Sequence, residues 1–100
     1  MRRITSTDQM EVGKLYLVRG TFAGVYVEDL VECLTVSYKV FEGQLLASNA
    51  LHYNNRRGTY NYRIAGDRTA REIDPIDIPL FISYKYLSPR FHERLQSLEV

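Results

Sequence analysis

The sequence has no tryptophan, one cysteine and two histidines. The single cysteine, Cys33, excludes an intrachain disulfide and any zinc site built from several thiolates. It suits a reducing compartment. Cys33 lies among Val31, Leu34 and Val36, which reads as an inert buried thiol. The two histidines, His52 and His92, leave few general bases or metal ligands. No G-x-S-x-G, C-x-x-C, H-E-x-x-H or phosphate-loop pattern occurs, so a non-enzymatic protein with no cofactor and no metal is expected.

Long apolar runs are missing too. Met1 to Ser6 contains two arginines but no apolar run follows, so neither a signal peptide nor a membrane span is expected, and the protein reads as cytoplasmic. A large excess of either charge is also absent. The formal net charge is +1, so attraction of nucleic acid by the whole molecule is excluded, and any such binding must come from a local patch.

What is present is an ordinary globular composition over 100 residues: 45% hydrophobic and 25% charged, with eight tyrosines among twelve aromatics. One domain, 1–100, with a modest core is expected. Tyrosine favours strands and half-apolar surfaces.

Lys14 to Arg19 (KLYLVR) is apolar on both faces, as in a central strand or one at an interface, and it hints at self-association into a homo-oligomer. Gly20 to Gly24 (GTFAG) reads as a bend and lacks the dinucleotide glycine spacing. Val25 to Glu28 reads as a second strand, Glu28 to Cys33 is open between a helical turn and strand, and Leu34 to Val40 reads as a third strand, with Glu42-Gly43-Gln44 as a turn. Gln44 to Leu51 is open between helix and strand. Leu51 to Ile64 forms the best hairpin of the sequence, with Asn54 to Gly58 at its tip.

Asp74 to Pro79 carries two prolines and is expected to be extended, with Asp74 and Asp77 pointing apart as solvated edge residues. Leu80 to Tyr86 alternates as a strand, with Leu80, Ile82, Tyr84 and Tyr86 on one face. Ser88 and Pro89 open a C-terminal helix with Phe91, Leu95 and Leu98 as its apolar stripe and His92 at the stripe's edge. Together these elements predict a mainly β protein: a small, strongly bent antiparallel sheet or an SH3/OB-like barrel with one C-terminal α-helix.

The positive charge is concentrated. His52 to Arg71 holds five arginines and one acid, net +4, while residues 1–51 sum to −1 and residues 72–100 to −2. Arginine forks clamp phosphate and tyrosine faces stack on bases. The candidate ligand-binding residues are Arg56, Arg57, Asn61, Arg63, Tyr53 and Arg68, at the hairpin tip and on its polar face. Tyr60 and Tyr62 share a face with Ile64 and are either core or ligand-facing. Arg19, near a strand end, is a possible addition to the patch.

Val12 to Phe22 (VGKLYLVRGTF), Gly24 to Glu28 (GVYVE) and Arg71 to Pro75 (REIDP) together resemble a group of small, uncharacterised tailed-bacteriophage proteins with a G-K-x-Y-x-[IV]-R opening strand. The likeness covers about half the chain. It implies a phage origin, the host cytoplasm and a small β fold, and it supplies no reaction. The group carries a tryptophan- and aspartate-containing stretch where this chain reads LLASNALHYNN, so no site residue is carried over.

Two functions follow as expectations. The first is a binding module for a nucleotide or nucleic acid. The second is a protein-interaction module, either an inhibitor of a host factor or a small virion or assembly component, for which arginine and tyrosine are also suited. No membrane partner is expected.

Overall fold

The computed structural model of the chain describes residues 3–50 and 58–98. Seven strands make one antiparallel sheet: β1 (Arg3–Ile4), β2 (Leu15–Phe22), β3 (Val25–Ser37), β4 (Val40–Ser48), β5 (Thr59–Arg63), β6 (Thr69–Ile73) and β7 (Tyr86–Leu87). Their order is β1-β6-β2-β3-β4-β5, and β7 pairs with the end of β4. A 3-10 turn, Thr7–Gln9, follows β1. A longer 3-10 helix, Pro75–Phe81, precedes β7, and α1 (Pro89–Gln96) is the last described element. The protein is therefore mainly β with one C-terminal helix. Its sheet is open, with β1 and β5 as edges, so the closed-barrel alternative is not realised among the described residues.

β2 is the central strand of the sequence reading, paired with β6 on one side and β3 on the other. Its alternation explains the two-sided apolar run. Tyr16 and Val18 enter one core, and Leu15 and Leu17 enter a second on the opposite face. That run is satisfied within one chain and gives no argument for an oligomer.

The first core lies on the concave side. In a flat sheet β5 would be three strand spacings, about 14 Å, from β2. Yet the rings of Tyr62 on β5 and Phe22 on β2 have centroids 6.3 Å apart, and Tyr62 stacks on Phe41 at 5.3 Å. The sheet has curled until its far strands share side chains. Two register shifts between β3 and β4, at Leu30/Val31 and Cys33/Thr35, contribute to the curl, since bulges sharpen local bend and twist.

The second core is roofed by Ile78 and Phe81 of the 3-10 helix and Phe91 of α1. Ser88 accepts from the Phe91 N–H at 3.1 Å, and Pro89 occupies the first helical position, as expected. Full burial of Phe91 contributes on the order of 2–3 kcal/mol relative to its exposure. Leu98 lies past the end of α1 and is exposed, so the stripe is shorter than expected.

Several sequence expectations change. Gly20 to Gly24 is not one bend: β2 runs on to Phe22, and Ala23-Gly24 alone turns into β3. Both turn residues have positive φ (50° and 79°), the geometry that matches strand twist in a two-residue hairpin. Glu42-Gly43-Gln44 is mid-strand in β4, and the turn is Tyr38-Lys39, where no glycine or asparagine marks it. Gly43 is bare because Val31 and the Tyr62 ring pack on it; a Cβ there would lie 3.0 Å from Val31 Cβ and 3.2 Å from Tyr62 Cε2. Gln44–Ser48 resolves as strand.

Asp74 to Pro79 is not extended. Asp74 caps a 3-10 helix, accepting from the Ile76 N–H at 3.1 Å, and Pro75 starts it. Aspartate before proline is a helix-start signal that the second proline obscured. The Leu80–Tyr86 strand is likewise absent but for Tyr86. Phe81 is the buried residue, while Leu80 and Ile82 are exposed.

Candidate ligand-binding groove

The lead segment Thr5–Asp8 forms one wall of a groove of about 670 Å³. Gln9 Oε1 holds that wall, accepting from the N–H groups of Thr5 (2.7 Å) and Ser6 (3.1 Å) and from the Thr5 hydroxyl (3.0 Å). Thr7 is buried and donates its hydroxyl to the Ser37 carbonyl at 3.2 Å, tying the wall to the end of β3. The Ser37-Tyr38-Lys39 turn forms the second wall, and Arg63, Ile64 and Ala65 at the end of β5 form the third. Val36 and Ile64, both packed against the first core, supply its apolar lining.

Among the described residues, two cations, Lys39 and Arg63, and one acid, Asp8, line this groove. Lys39 has φ 65°, a left-handed conformation uncommon for a residue with a side chain. Its Nζ is 5.2 Å from the centroid of the Tyr38 ring, and Tyr38 is 86% exposed. Thr5, Ser6 and Ser37 add hydroxyls. The volume falls in the range of small-molecule sites. The groove thus joins a cationic end, a solvent-facing aromatic ring and a hydroxylated wall.

The sequence-derived candidates separate in space. Arg63 enters the groove. Asn61 faces outward two residues earlier on β5, opposite Glu42, and does not line it. Arg68 lies elsewhere: its guanidinium covers the Phe22 ring at 4.0 Å and its Nε donates to the Thr21 carbonyl at 3.4 Å. Arg56, Arg57 and Tyr53 lie outside the described residues, as does the first arm of the expected hairpin. The described partner of β5 is β4.

Of the two alternatives for the tyrosines, the core wins. Tyr62 is 2% exposed, and Tyr60 packs half-buried beside it. Tyr62 donates its hydroxyl to Asp29 Oδ2 at 2.9 Å. Cys33 is buried, and desolvation raises its thiol pKa, as suits an inert residue. His92 is exposed with its ring against Phe91.

Sequence reasoning missed Tyr38, Lys39 and the Thr5–Asp8 wall. Nothing local marked them, because the groove exists only where three segments far apart in the chain converge. Among the described residues, no three His, Cys, Asp or Glu side chains are grouped as a metal site requires, and no helix is long and apolar enough to cross a membrane.

Comparison with protein-family models, with curated proteins and with solved structures found no match to this chain.

Proposed function

We propose that this protein is a non-enzymatic binding module for a phosphate-bearing ligand of nucleotide size, held in the groove between Thr5–Asp8, Tyr38-Lys39 and Arg63. The supporting observation is the convergence of Lys39 and Arg63 beside the exposed Tyr38 ring in about 670 Å³. Arg63 clamps phosphate as a fork, Lys39 adds a point charge, and Tyr38 offers a stacking face. The net charge of only +1 favours a compact ligand over long duplex nucleic acid. In the phage setting that the sequence resemblance implies, such a module would sequester a host nucleotide in the host cytoplasm.

Calorimetry with mononucleotides and short oligonucleotides, at low and moderate salt, tests the reading. Binding is expected to weaken with salt and to fall in Arg63→Gln and Lys39→Gln. Absence of binding to every nucleotide and oligonucleotide rejects it.

A second reading, a protein-interaction module, is favoured by a different observation. Ile76, Leu80 and Ile82, on and just after the 3-10 helix, are 71%, 73% and 53% exposed. Capture of a bacterial protein from lysate that survives nuclease treatment and is lost in Leu80→Asp supports this reading; recovery of nucleic acid alone rejects it.

A further inference from the structure

The face of the sheet opposite the groove carries three arginines from three adjacent strands. Arg3 of β1 stands directly across from Arg71 of β6, and Arg71 directly across from Leu17 of β2. Arg19 is two residues along β2 from Leu17. It therefore shares that face and is the diagonal neighbour of Arg71, within reach of a long side chain. The three arginines, with Thr69, Ala70 and Leu17, line a pocket of about 90 Å³.

The set is poorly neutralised. Among the described residues its one ion pair is with Glu28, the cross-strand partner of Arg19, whose Oε2 lies 3.4 Å from Arg19 Nε. That carboxylate also accepts from the hydroxyls of Tyr26 (3.0 Å) and Tyr84 (2.9 Å). Arg3 and Arg71 form no ion pair among the described residues. Like charges directly opposed in an antiparallel pair destabilise it. An anion between them would reverse that sign.

Size and arrangement select the anion. At roughly 30 Å³ per water in the liquid, the pocket has room for about three waters, which suits one tetrahedral oxoanion and not a sugar or base. A nucleic-acid backbone needs positive charge spread along a track. Here the three arginines line one small pocket, and arginine forks match phosphate oxygens two at a time.

We propose that Arg3, Arg19 and Arg71 form a site for a single dianionic phosphate group, presented by a phosphomonoester or by inorganic phosphate. The site uses none of Tyr38, Lys39 and Arg63, so it stands or falls separately from the groove.

The test is a titration of the full chain with inorganic phosphate at constant ionic strength, followed by backbone amide NMR. Saturable shifts are expected at Arg3, at Leu17–Arg19 and at Thr69–Arg71. Arg71→Gln is expected to weaken phosphate binding about tenfold or more, the loss of a charge-assisted contact. Arg3→Gln, on a two-residue edge strand, gives the same reading should Arg71→Gln fail to fold. Lys85→Gln, which removes an exposed charge lining neither pocket, is expected to leave the affinity unchanged.

Phenyl phosphate and a short oligonucleotide without terminal phosphate separate the sources. Equal binding of phenyl phosphate with weak binding of the oligonucleotide supports the monoester. Tighter binding of the oligonucleotide at the same amides overturns it in favour of a nucleic-acid surface. Unshifted amides at the three arginines, or unchanged phosphate affinity in the folded Gln variants, overturn the site altogether.

Discussion

Tyr62 and Asp29 meet inside the curl of the sheet: the phenol donates to the aspartate Oδ2 at 2.9 Å, with both side chains buried and 33 residues between them. β5 and β3 are not neighbours in the sheet; β4 lies between them. The bond therefore spans a strand and pins the curvature that forms the first core. Tyr62→Phe keeps the ring on Phe41 but leaves a buried acceptor without this donor. It is expected to cost on the order of 1–3 kcal/mol, checked by urea denaturation. An unchanged midpoint would show that the bond does not hold the curl.

The same ring explains Gly43. A methyl group placed there would press on Val31 Cβ at 3.0 Å and Tyr62 Cε2 at 3.2 Å. Gly43→Ala is expected to destabilise by about 1–3 kcal/mol, typical of overpacking. Near-ultraviolet circular dichroism of the tyrosines should change with it, which separates ring displacement from a general loss of stability.

α1 is held to the sheet by charge as well as by Phe91. Glu32 Oε1 accepts from Arg94 Nη1 at 2.9 Å and from Arg90 Nε at 3.2 Å, with the Glu32 and Arg94 side chains mostly shielded. Glu32→Gln is expected to cost on the order of 1–2 kcal/mol. Faster amide exchange should be confined to α1. Uniform acceleration across the sheet would contradict a local anchor.

The Tyr84 hydroxyl is pushed up to about 12, first by burial and then by its bond to Glu28 and that residue's negative charge. The folded state thus prefers the neutral phenol more than the unfolded chain, whose value is near 10. This contribution is complete below pH 10 and is lost as pH rises from about 10 to about 12. Tyr84→Phe should flatten the stability profile in that window. Ultraviolet titration of tyrosinate should show late ionisation in the wild type that Tyr84→Phe diminishes.

Asp67 works in the opposite direction. Its carboxylate accepts from the hydroxyl and N–H of Thr21, which holds its pKa below the usual aspartate value. The associated stability is present above about pH 4 and disappears as pH falls through the lowered folded value. Asp67→Asn should weaken the acid dependence of unfolding near the Ala23-Gly24 hairpin.

Much of the architecture was legible because it rests on local chemistry. KLYLVR announced a strand with two buried faces, and Ser88-Pro89 announced the helix start. Ala23-Gly24 fell within the stretch read as a bend. Leu80–Tyr86 misled because its alternation is the same pattern a strand shows, while Asp74-Pro75 had already set a tight helix that places Phe81 inward. Tyr38-Lys39 read as part of a strand, since neither residue is a turn former.

The candidate site was less legible for a different reason. The basic segment could be located by charge counting, and Arg63 within it reaches a groove. Its companions there, Lys39 and Thr5–Asp8, come from other parts of the chain. Arg71 of the same segment turns to the opposite face, where Arg3 and Arg19 meet it.

Composition and periodicity therefore determined that this is a small, mainly β protein with one terminal helix and a segment rich in arginine, because strand and cap signals act over a few residues. Which arginines stand together was decided by the tertiary structure alone. Side-chain facing alternates with each residue, and strand order places residues 3, 19 and 71 in adjacent strands. No short-range feature of the sequence encodes that register.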